Sequence, residues 1–125
     1  MRILIADDEV DIGRIFKTIL HNHIPNSQVD VVVNGAEAEN NIRNGNYDVV
    51  LLDGNLPDKD GYDVCLEIQE ICKQRNSKMP FVIFCTGNDA SEEILKLLVD
   101  KSNYAYLPKP VKSEQLIAAI ENIPE

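Results

Sequence analysis

The sequence predicts an α/β protein built on one doubly wound, five-stranded parallel sheet with five helices. Five apolar runs of strand length alternate along the chain with five segments whose apolar residues recur at helical spacing. The connections are short, and right-handed crossovers place each helix against the sheet. The run from Phe81 to Cys85 is continuously apolar, as expected for a strand covered on both faces.

The first two units occupy the first third of the chain. Arg2 to Ala6 (RILIA) is the first predicted strand, and a segment of helical period follows it. Val29 to Val33 is the second strand, and Gly35 to Arg43 is a weak second helix with a narrow apolar face. The apolar residues that predict these two helices are Ile12, Ile15, Phe16 and Ile19, and then Ala38 and Ile42.

The remaining three units follow the same pattern. Asp48 to Leu52, Phe81 to Cys85 and Tyr104 to Leu107 are the predicted third, fourth and fifth strands. Ser91 and Ser113 are predicted to cap the fourth and fifth helices, because a serine hydroxyl accepts hydrogen bonds from the first helical amides. The apolar residues of the last three helices are Val64, Cys65, Ile68, Ile71 and Cys72, then Ile94, Leu95 and Leu98, then Leu116, Ile117, Ile120 and Ile123.

Length and composition limit the function. A chain of 125 residues with 44% hydrophobic content predicts one domain over residues 1–125. The net charge of −9 disfavours binding of this segment to nucleic acid or to an anionic membrane. Its three cysteines form no CxxC pair and are interpreted as structural, and no apolar stretch has the length of a membrane span. The sequence therefore predicts a reduced, cytoplasmic protein.

Segments with reactive or ligand-binding side chains follow four of the five predicted strands. Open parallel sheets bind ligands at the carboxyl ends of their strands, near the point where the strand order reverses. We therefore expect these side chains to lie together. They are Asp7, Asp8 and Glu9 after the first strand, Asp53 after the third, Thr86 and Gly87 after the fourth, and Pro108, Lys109 and Pro110 after the fifth.

The clustered carboxylates predict a metal site. Two close carboxylates repel each other by about 4 kcal/mol at an effective dielectric constant near 20, so such a cluster attracts a cation. Carboxylate ligands with several retained waters are typical of Mg²⁺. Beside Mg²⁺ and the ammonium of Lys109, Asp53 is the best candidate nucleophile toward phosphorus. Asp58 and Asp60 are interpreted as loop residues.

Five motifs in order resemble the receiver domain of two-component response regulators, the fold type of the chemotaxis regulators. The resemblance covers the whole chain and implies a flavodoxin-like strand order, 2-1-3-4-5. The motifs are Asp7 and Asp8 after ILIA, Asp53 at the end of VVLLD, LPDKDG from Leu56 to Gly61, Thr86 after VIFC, and YLPKP from Tyr106 to Pro110.

The resemblance implies a role for each matching residue. Asp53 would accept a phosphoryl group from the phosphohistidine of a histidine kinase, in a reaction that needs Mg²⁺. Asp8 and Asp53 would bind Mg²⁺ through their side chains, Asn55 through its backbone carbonyl, and Asp7 through water, while Lys109 would hold the phosphate. The protein would be a signalling switch that catalyses its own phosphorylation and dephosphorylation, and not an enzyme for a separate substrate.

The resemblance also implies how the switch communicates. Thr86 would move to hydrogen-bond a phosphate oxygen, and Tyr106 would turn inward and alter the face formed by the fourth helix, fifth strand and last helix. The Lys109-Pro110 bond would be cis, an isomer that costs little only before proline. The implied partners are a histidine kinase or phosphotransfer protein, and a downstream protein or attached output domain. A phosphorylation-dependent dimer stays open, as does whether the domain stands alone or belongs to a longer regulator.

Three positions depart from the family pattern, and the segment VDKSNYAY also lacks the Gly-Ala that is usual before the fifth strand. Gly54 stands where a larger apolar residue is usual, Gly87 where Ala or Ser is usual, and Val111 where Phe is usual. Gly54 predicts a looser phosphorylation loop that is more open to water. None of these changes touches the chemical residues, so they bear on phosphoryl lifetime and on the output surface.

Three other functions are possible for a protein with this fold or with an aspartate at the end of a strand. A nucleotide or flavin binder would cradle phosphate with glycine-rich amides after the first strand, where this chain has three acidic residues. An aspartyl phosphatase would need a second acid at the position of Asn55. The remaining alternative is a receiver-like module that binds partners without phosphorylation. Loss of Asp53, Asp8 or Lys109 would have favoured that alternative, and all three are present.

Overall fold

Strands and helices alternate along the chain. The computed structural model describes residues 1–87 and 89–124. The strands are β1 (Arg2–Ala6), β2 (Gln28–Val32), β3 (Val49–Asp53), β4 (Phe81–Thr86) and β5 (Tyr104–Pro108). The helices are α1 (Val10–His23), α2 (Gly35–Asn44), α3 (Gly61–Arg75), α4 (Glu92–Leu97) and α5 (Ser113–Glu121). Within the described ranges, no helix combines the length and the apolar character needed to cross a membrane.

The five strands form one parallel sheet in the order β2-β1-β3-β4-β5, which confirms the predicted fold and strand order. The sheet grows from β1 to one side with β2 and then to the other side with β3, so the order reverses between β1 and β3. In the ladder, Ala6 lies opposite Leu52, and Asp53 lies opposite Cys85. The carboxyl ends of β1, β3 and β4 therefore lie side by side at one edge of the sheet.

Two apolar layers cover the sheet, as expected for strands that are buried on both faces. One layer joins Leu52 and Phe84 of the sheet to Ile68 of α3 in a single buried cluster. The other contains Phe16 of α1 and Leu116 of α5. The five apolar residues that predicted α3 are all buried. The two layers bury the sheet on both faces and leave its carboxyl edge as the place where polar groups can gather.

Several predicted boundaries were wrong by one residue. β2 begins and ends one residue earlier than predicted, and β3 one residue later, so that Asp53 is itself the last residue of a strand. Asp48 lies outside β3, and its carboxylate accepts a hydrogen bond from the Arg2 backbone N–H at 2.8 Å. Ser91 caps α4 as predicted, but Ser113 is the first residue of α5, and Lys112 precedes it as the N-cap.

Two of the apolar residues whose spacing predicted α1 and α4 are exposed. Ile15 and Leu95 have exposed fractions of 52% and 53%. Ile15 is next to buried Phe16 and therefore lies about 100° around α1 from the inner face. α4 has six residues, and Ile94 is the one that it buries. Helical spacing identified both helices, but it did not separate the inner face from the flank.

The three cysteines are buried free thiols, in agreement with a structural role. Burial raises the pKa of Cys65 and of Cys85 to about 12. A thiol that stays protonated at neutral pH is a poor nucleophile and a poor metal ligand. The cysteines therefore contribute to packing and not to the chemistry of the carboxyl edge.

Candidate functional site

The predicted chemical groups meet at the carboxyl edge of the sheet. Asp7 follows β1, Asp53 ends β3 and Thr86 ends β4, and all three side chains are buried. Asp8 is exposed at the rim, and Lys109 directly follows β5 with a partly buried side chain. The topology thus brings four strand ends into one mostly acidic site.

Three carboxylates lie close enough to share one cation. Asp7, Asp8 and Asp53 each offer a carboxylate oxygen, and these oxygens lie within 4.8 Å of one another. Oxygen donors of this kind suit a hard divalent cation such as Mg²⁺, which keeps several waters and needs few protein ligands. The backbone N–H of Asn55, the other predicted ligand, donates to Asp53 Oδ1 at 3.1 Å. The donor set therefore fits the predicted metal.

Lys109 supplies positive charge to the same carboxylates. Its Nζ donates to Asp7 Oδ2 at 2.9 Å and to Asp53 Oδ2 at 3.2 Å, and it lies 3.7 Å from Glu9 Oε1. Its backbone N–H donates to the Thr86 carbonyl at 2.9 Å. The Lys109-Pro110 bond is cis, as the resemblance implied. Lys109 thus joins the ends of β1, β3 and β5.

The pKa values of Asp53 and of Lys109 are both raised. Burial raises the pKa of the Asp53 carboxyl, and the charge of Asp7 adds to this, although the Asn55 N–H and Lys109 act in the opposite direction. Burial opposes the charge of Lys109, but its hydrogen bonds to Asp7 and Asp53 outweigh burial and raise its pKa. The ammonium is therefore permanently charged, whereas the charge of Asp53 is costly until more positive charge arrives.

Backbone hydrogen bonds close the loop of residues 54–60, which follows Asp53. Gly54 donates to the Cys85 carbonyl at 3.1 Å and accepts from Gly61 N–H at 2.8 Å. A Cβ on Gly61 would lie 2.5 Å from the Asp53 carbonyl oxygen, so this close approach requires glycine. The backbone N–H and the carbonyl of Gly54 are thus both hydrogen-bonded. The looser loop predicted from Gly54 stays a prediction.

The interpretation of Asp58 and Asp60 as loop residues was incomplete, because both cap helices. Asp60 is the N-cap of α3 and accepts from Asp63 N–H at 2.9 Å. Asp58 accepts from the first amides of α2, Gly35 N–H at 2.7 Å and Ala36 N–H at 2.9 Å. An aspartate directly before a helical pattern is a recognisable N-cap signal, so the role of Asp60 was readable from the sequence. The role of Asp58 depends on a contact between distant segments.

An ion pair between buried Glu39 and the partly exposed side chain of Lys59 was also missed. Glu39 of α2 is buried, and Lys59 Nζ lies 2.9 Å from its Oε1 and 2.6 Å from its Oε2. The sequence signal was weak, because Glu39 follows Ala38 on a helix with a narrow apolar face. The pair joins the loop of residues 54–60 to α2.

The two predicted switch residues lie on neighbouring strands. Thr86 is buried at the end of β4, and Tyr106 of β5 lies opposite Phe84 and packs against the apolar layer that contains Ile94. A cavity of about 230 Å³ borders Thr86 and Gly54 and extends to the start of α4. The site thus continues toward α4 through open space beside Thr86.

The comparison with known families agrees with this geometry. The family model of the response regulator receiver domain matches residues 3–121. The chain belongs to this receiver domain family. The receiver domain is 34% identical over 122 residues to the transcriptional regulatory protein CutR of Streptomyces coelicolor, a match that covers 96% of this chain and 52% of CutR. The chain spans about half the length of the curated relatives it matches.

Solved receiver structures share the fold. A two-component response regulator from Clostridium difficile superimposes with a TM-score of 0.81 at 27% identity, over 98% of this chain and 94% of that chain. A CheY-like receiver domain protein from Methanospirillum hungatei gives a TM-score of 0.78 at 28% identity, over 96% of this chain and 90% of that chain. These matches confirm the family that the motifs of the sequence resembled.

We expect Gly54→Ala to destabilise the receiver domain and Gly87→Ala to leave it unchanged. A Cβ on Gly54 would lie 3.0 Å from Thr86 Cβ, whereas a Cβ on Gly87 would have no atom within 4 Å among the described residues other than its chain neighbours. None of the described glycines has a positive φ, so the two substitutions differ in space and not in backbone strain. Thermal unfolding should show a loss of about 1–3 kcal/mol for Gly54→Ala. Equal stability of the two variants would contradict this packing.

We expect Asp53→Asn to raise the melting temperature of the metal-free receiver domain. The substitution removes a buried negative charge that lies beside Asp7. Burial raises the pKa of the Asp53 carboxyl, which shows that its charged form is disfavoured. A relief of about 1 kcal/mol corresponds to a rise of about 4 °C for a domain of this size. Glu121→Gln, at an exposed acid that ends α5, is the control and should change the melting temperature little.

The pH dependence of this difference has a definite sign. Because the pKa of Asp53 is higher in the folded than in the unfolded chain, the folded state binds more protons between the two values, and stability falls as the pH rises through them. The advantage of Asp53→Asn is therefore full above the folded pKa and lost below the unfolded one. An advantage that persisted at the lowest pH would show that charge is not its cause.

Proposed function

We propose that this receiver domain accepts a phosphoryl group on Asp53 from the phosphohistidine of a histidine kinase or phosphotransfer protein, in a Mg²⁺-dependent reaction. The observation that carries the proposal is the position of the Asp53 carboxylate, which is buried between two further carboxylates and an ammonium that it contacts at 3.2 Å. A strand-end carboxylate in such a place is costly in the free protein. A bound cation offsets this cost, and phosphorylation then places the added charge between the cation and the ammonium of Lys109.

Asp53 acts as the nucleophile. One of its carboxylate oxygens forms a bond to phosphorus while the bond between phosphorus and the donor imidazole nitrogen breaks, and the imidazole keeps the electron pair of that bond. The product is an acyl phosphate on Asp53. The Asn55 N–H, at 3.1 Å from Oδ1, orients the carboxylate for this attack. A fixed carboxylate lowers the barrier because its orientation is set before the donor arrives.

Lys109 holds the transferred group. In the free protein its ammonium divides its hydrogen bonds between Asp7 and Asp53. When the phosphoryl group arrives, its oxygens offer a stronger partner than the Asp53 carboxyl group, which loses its own negative charge when the acyl phosphate, a mixed anhydride, forms. Asp7 keeps the ammonium in place throughout, so Lys109 faces the developing charge without a large movement.

The acidic residues provide the cation site. Asp8 and Asp53 would bind Mg²⁺ by side chain, Asn55 by its backbone carbonyl and Asp7 through water. When bound, Mg²⁺ neutralises the carboxylates and the oxygens of the phosphoryl group. Water that reaches the acyl phosphate hydrolyses it, so the same site supports dephosphorylation and resets the switch.

The phosphoryl group reaches the partner surface through Thr86 and Tyr106. We expect the Thr86 hydroxyl to bond a phosphate oxygen and Tyr106 to turn inward, because the phosphorylated site binds Thr86 better in one of two conformations. The affected face consists of α4, β5 and α5. CutR carries a transcriptional regulator's name and is about twice as long as this chain, so the proposed recipient is an attached output domain or a downstream protein, with dimerisation through the same face as a further output.

We expect one phosphoryl group to be added to the receiver domain by acetyl phosphate in the presence of Mg²⁺. Asp53→Asn should give no adduct, because its amide is a poor nucleophile, and removal of the metal should also abolish the reaction. Intact mass spectrometry of the three samples provides the measurement. An adduct on Asp53→Asn would overturn the assignment of Asp53.

A missing adduct would be followed with a histidine kinase as the donor. Phosphorylation by the kinase alone would keep the proposal and show that the site refuses small donors. No adduct from either donor would overturn it and favour the receiver-like module that binds partners without phosphorylation.

We expect Thr86→Ala to accept the phosphoryl group but to lose the conformational response. Thr86→Ser is the matched control, since it keeps the hydroxyl and removes a methyl group. Nuclear magnetic resonance spectra of the Tyr106 ring, recorded before and after phosphorylation, should change in wild type and Thr86→Ser and stay constant in Thr86→Ala. A full response in Thr86→Ala would exclude Thr86 from the switch.

A further inference from the structure

Glu39 is a buried carboxylate that the proposed reaction does not use. It lies on α2 with an exposed fraction of 5%. Carboxylates are rarely buried in this way unless they are paired, because the loss of hydration must be offset. Lys59 Nζ provides the pairing with contacts of 2.9 and 2.6 Å to the two oxygens. α2 therefore holds the end of the Lys59 side chain at a fixed point.

The preceding residue holds the same helix. The carboxylate oxygens of Asp58 accept from Gly35 N–H at 2.7 Å and from Ala36 N–H at 2.9 Å. These amides begin α2, where unsatisfied N–H groups and the helix dipole both favour an anion. Consecutive residues of the loop of residues 54–60 thus contact α2 about one turn apart. We call the Asp58 and Lys59 contacts with α2 the loop anchor.

A series of hydrogen bonds connects the loop anchor to the phosphoacceptor. The Lys59 carbonyl accepts from Leu56 N–H at 3.2 Å, and Asn55 faces Asp60 in an antiparallel bridge. The Asn55 N–H in turn donates to Asp53 Oδ1 at 3.1 Å. A displacement of Lys59 would therefore move Asn55 and change its hydrogen bond to Asp53.

We propose that the loop anchor, formed by Glu39, Lys59 and Asp58, positions Asn55 and Asp53 for cation binding and phosphorylation. The inference rests on the proposed function of Asp53 and Asn55. The three anchor residues have no assigned contact with the phosphoryl group, so they are positioning residues. They act as outer partners that hold the ligands of a metal, and loss of such partners typically weakens metal binding by about 10-fold or more.

The direction of the effect separates positioning from simple electrostatics. Lys59→Met removes a positive charge from the loop next to an acidic cation site. Coulomb attraction alone would then make Mg²⁺ bind more tightly. Loss of the loop anchor would instead misplace the Asn55 carbonyl and weaken binding. For Lys59→Met, Mg²⁺ affinity is therefore a readout that a purely electrostatic or purely structural role would not move in the expected direction.

The test compares four variants with the wild type. Lys59→Met and Asp58→Ala each remove one half of the loop anchor, and the exchange Glu39→Lys with Lys59→Glu rebuilds the ion pair in reverse. Arg43→Met is the matched control, because Arg43 makes its half-exposed ion pair at 3.4 Å with Glu67 of α3 and not with the loop of residues 54–60. Calorimetry gives the Mg²⁺ dissociation constant, mass spectrometry gives the rate of adduct formation, and thermal unfolding gives the stability.

We expect Mg²⁺ to bind about 10-fold more weakly to Lys59→Met and to Asp58→Ala, with adduct formation slowed in parallel. The exchanged pair should recover to within about threefold of wild type, and Arg43→Met should match wild type. If unpaired Glu39 prevents Lys59→Met from folding, the double variant Lys59→Met with Glu39→Gln takes its place, because it removes the ion pair without leaving a buried charge unpaired and without changing the net charge.

Two results would overturn the inference in distinguishable ways. If wild type forms the adduct, and the anchor variants lose stability but keep its Mg²⁺ affinity and rate, the loop anchor is only structural. If wild type itself neither binds Mg²⁺ nor accepts a phosphoryl group, the proposed function fails, and the inference fails with it.

Discussion

The constraint on which the site depends is the accumulation of negative charge at the end of a buried sheet. Asp7 and Asp53 end neighbouring strands and are buried, and Asp8 adds a third carboxylate within 4.8 Å. Repulsion among them is large in a medium of low dielectric constant, so the free protein needs a resident cation. Lys109 serves as that cation and contacts both buried carboxylates. A core strand can end on a charge here because the opposite charge arrives from another strand.

The order of the strands determines which residues can meet. Because the sheet grows to opposite sides from β1, the ends of β1 and β3 become neighbours although more than forty residues separate Asp7 from Asp53 in the sequence. β5 lies at the far edge, and the long side chain of Lys109 crosses the end of the sheet to reach Asp7. Thr86 ends β4 between them. The topology supplies proximity, and side-chain length supplies the remaining distance.

The sequence predicted the features that depend on local pattern and strand topology. Apolar periodicity identified all ten elements, and a strand-end residue needs only the topology to be placed, which is why Asp53 and Lys109 were found. The contact of Asp58 with α2 was not predictable from the sequence. Asp58 lies more than 20 positions from Gly35 and Ala36, and only the course of an irregular loop brings it to them. The same holds for Lys59 and Glu39, since each alone has the pattern of a solvated surface residue.

The contacts of Asp58 and Lys59 with α2 have one physical cause in common. Gly54 and Gly61 lie at the two ends of this loop, where its backbone comes close to Asp53, and neither has a side chain with which to pack. Apolar contact from Leu56 holds the loop against the core, but such contact tolerates sliding. Directed charge contacts from Asp58 and Lys59 to α2 resist that sliding, because each fixes both a distance and an orientation. Small residues at the reacting end and charged residues at the anchored end are thus complementary requirements of one loop.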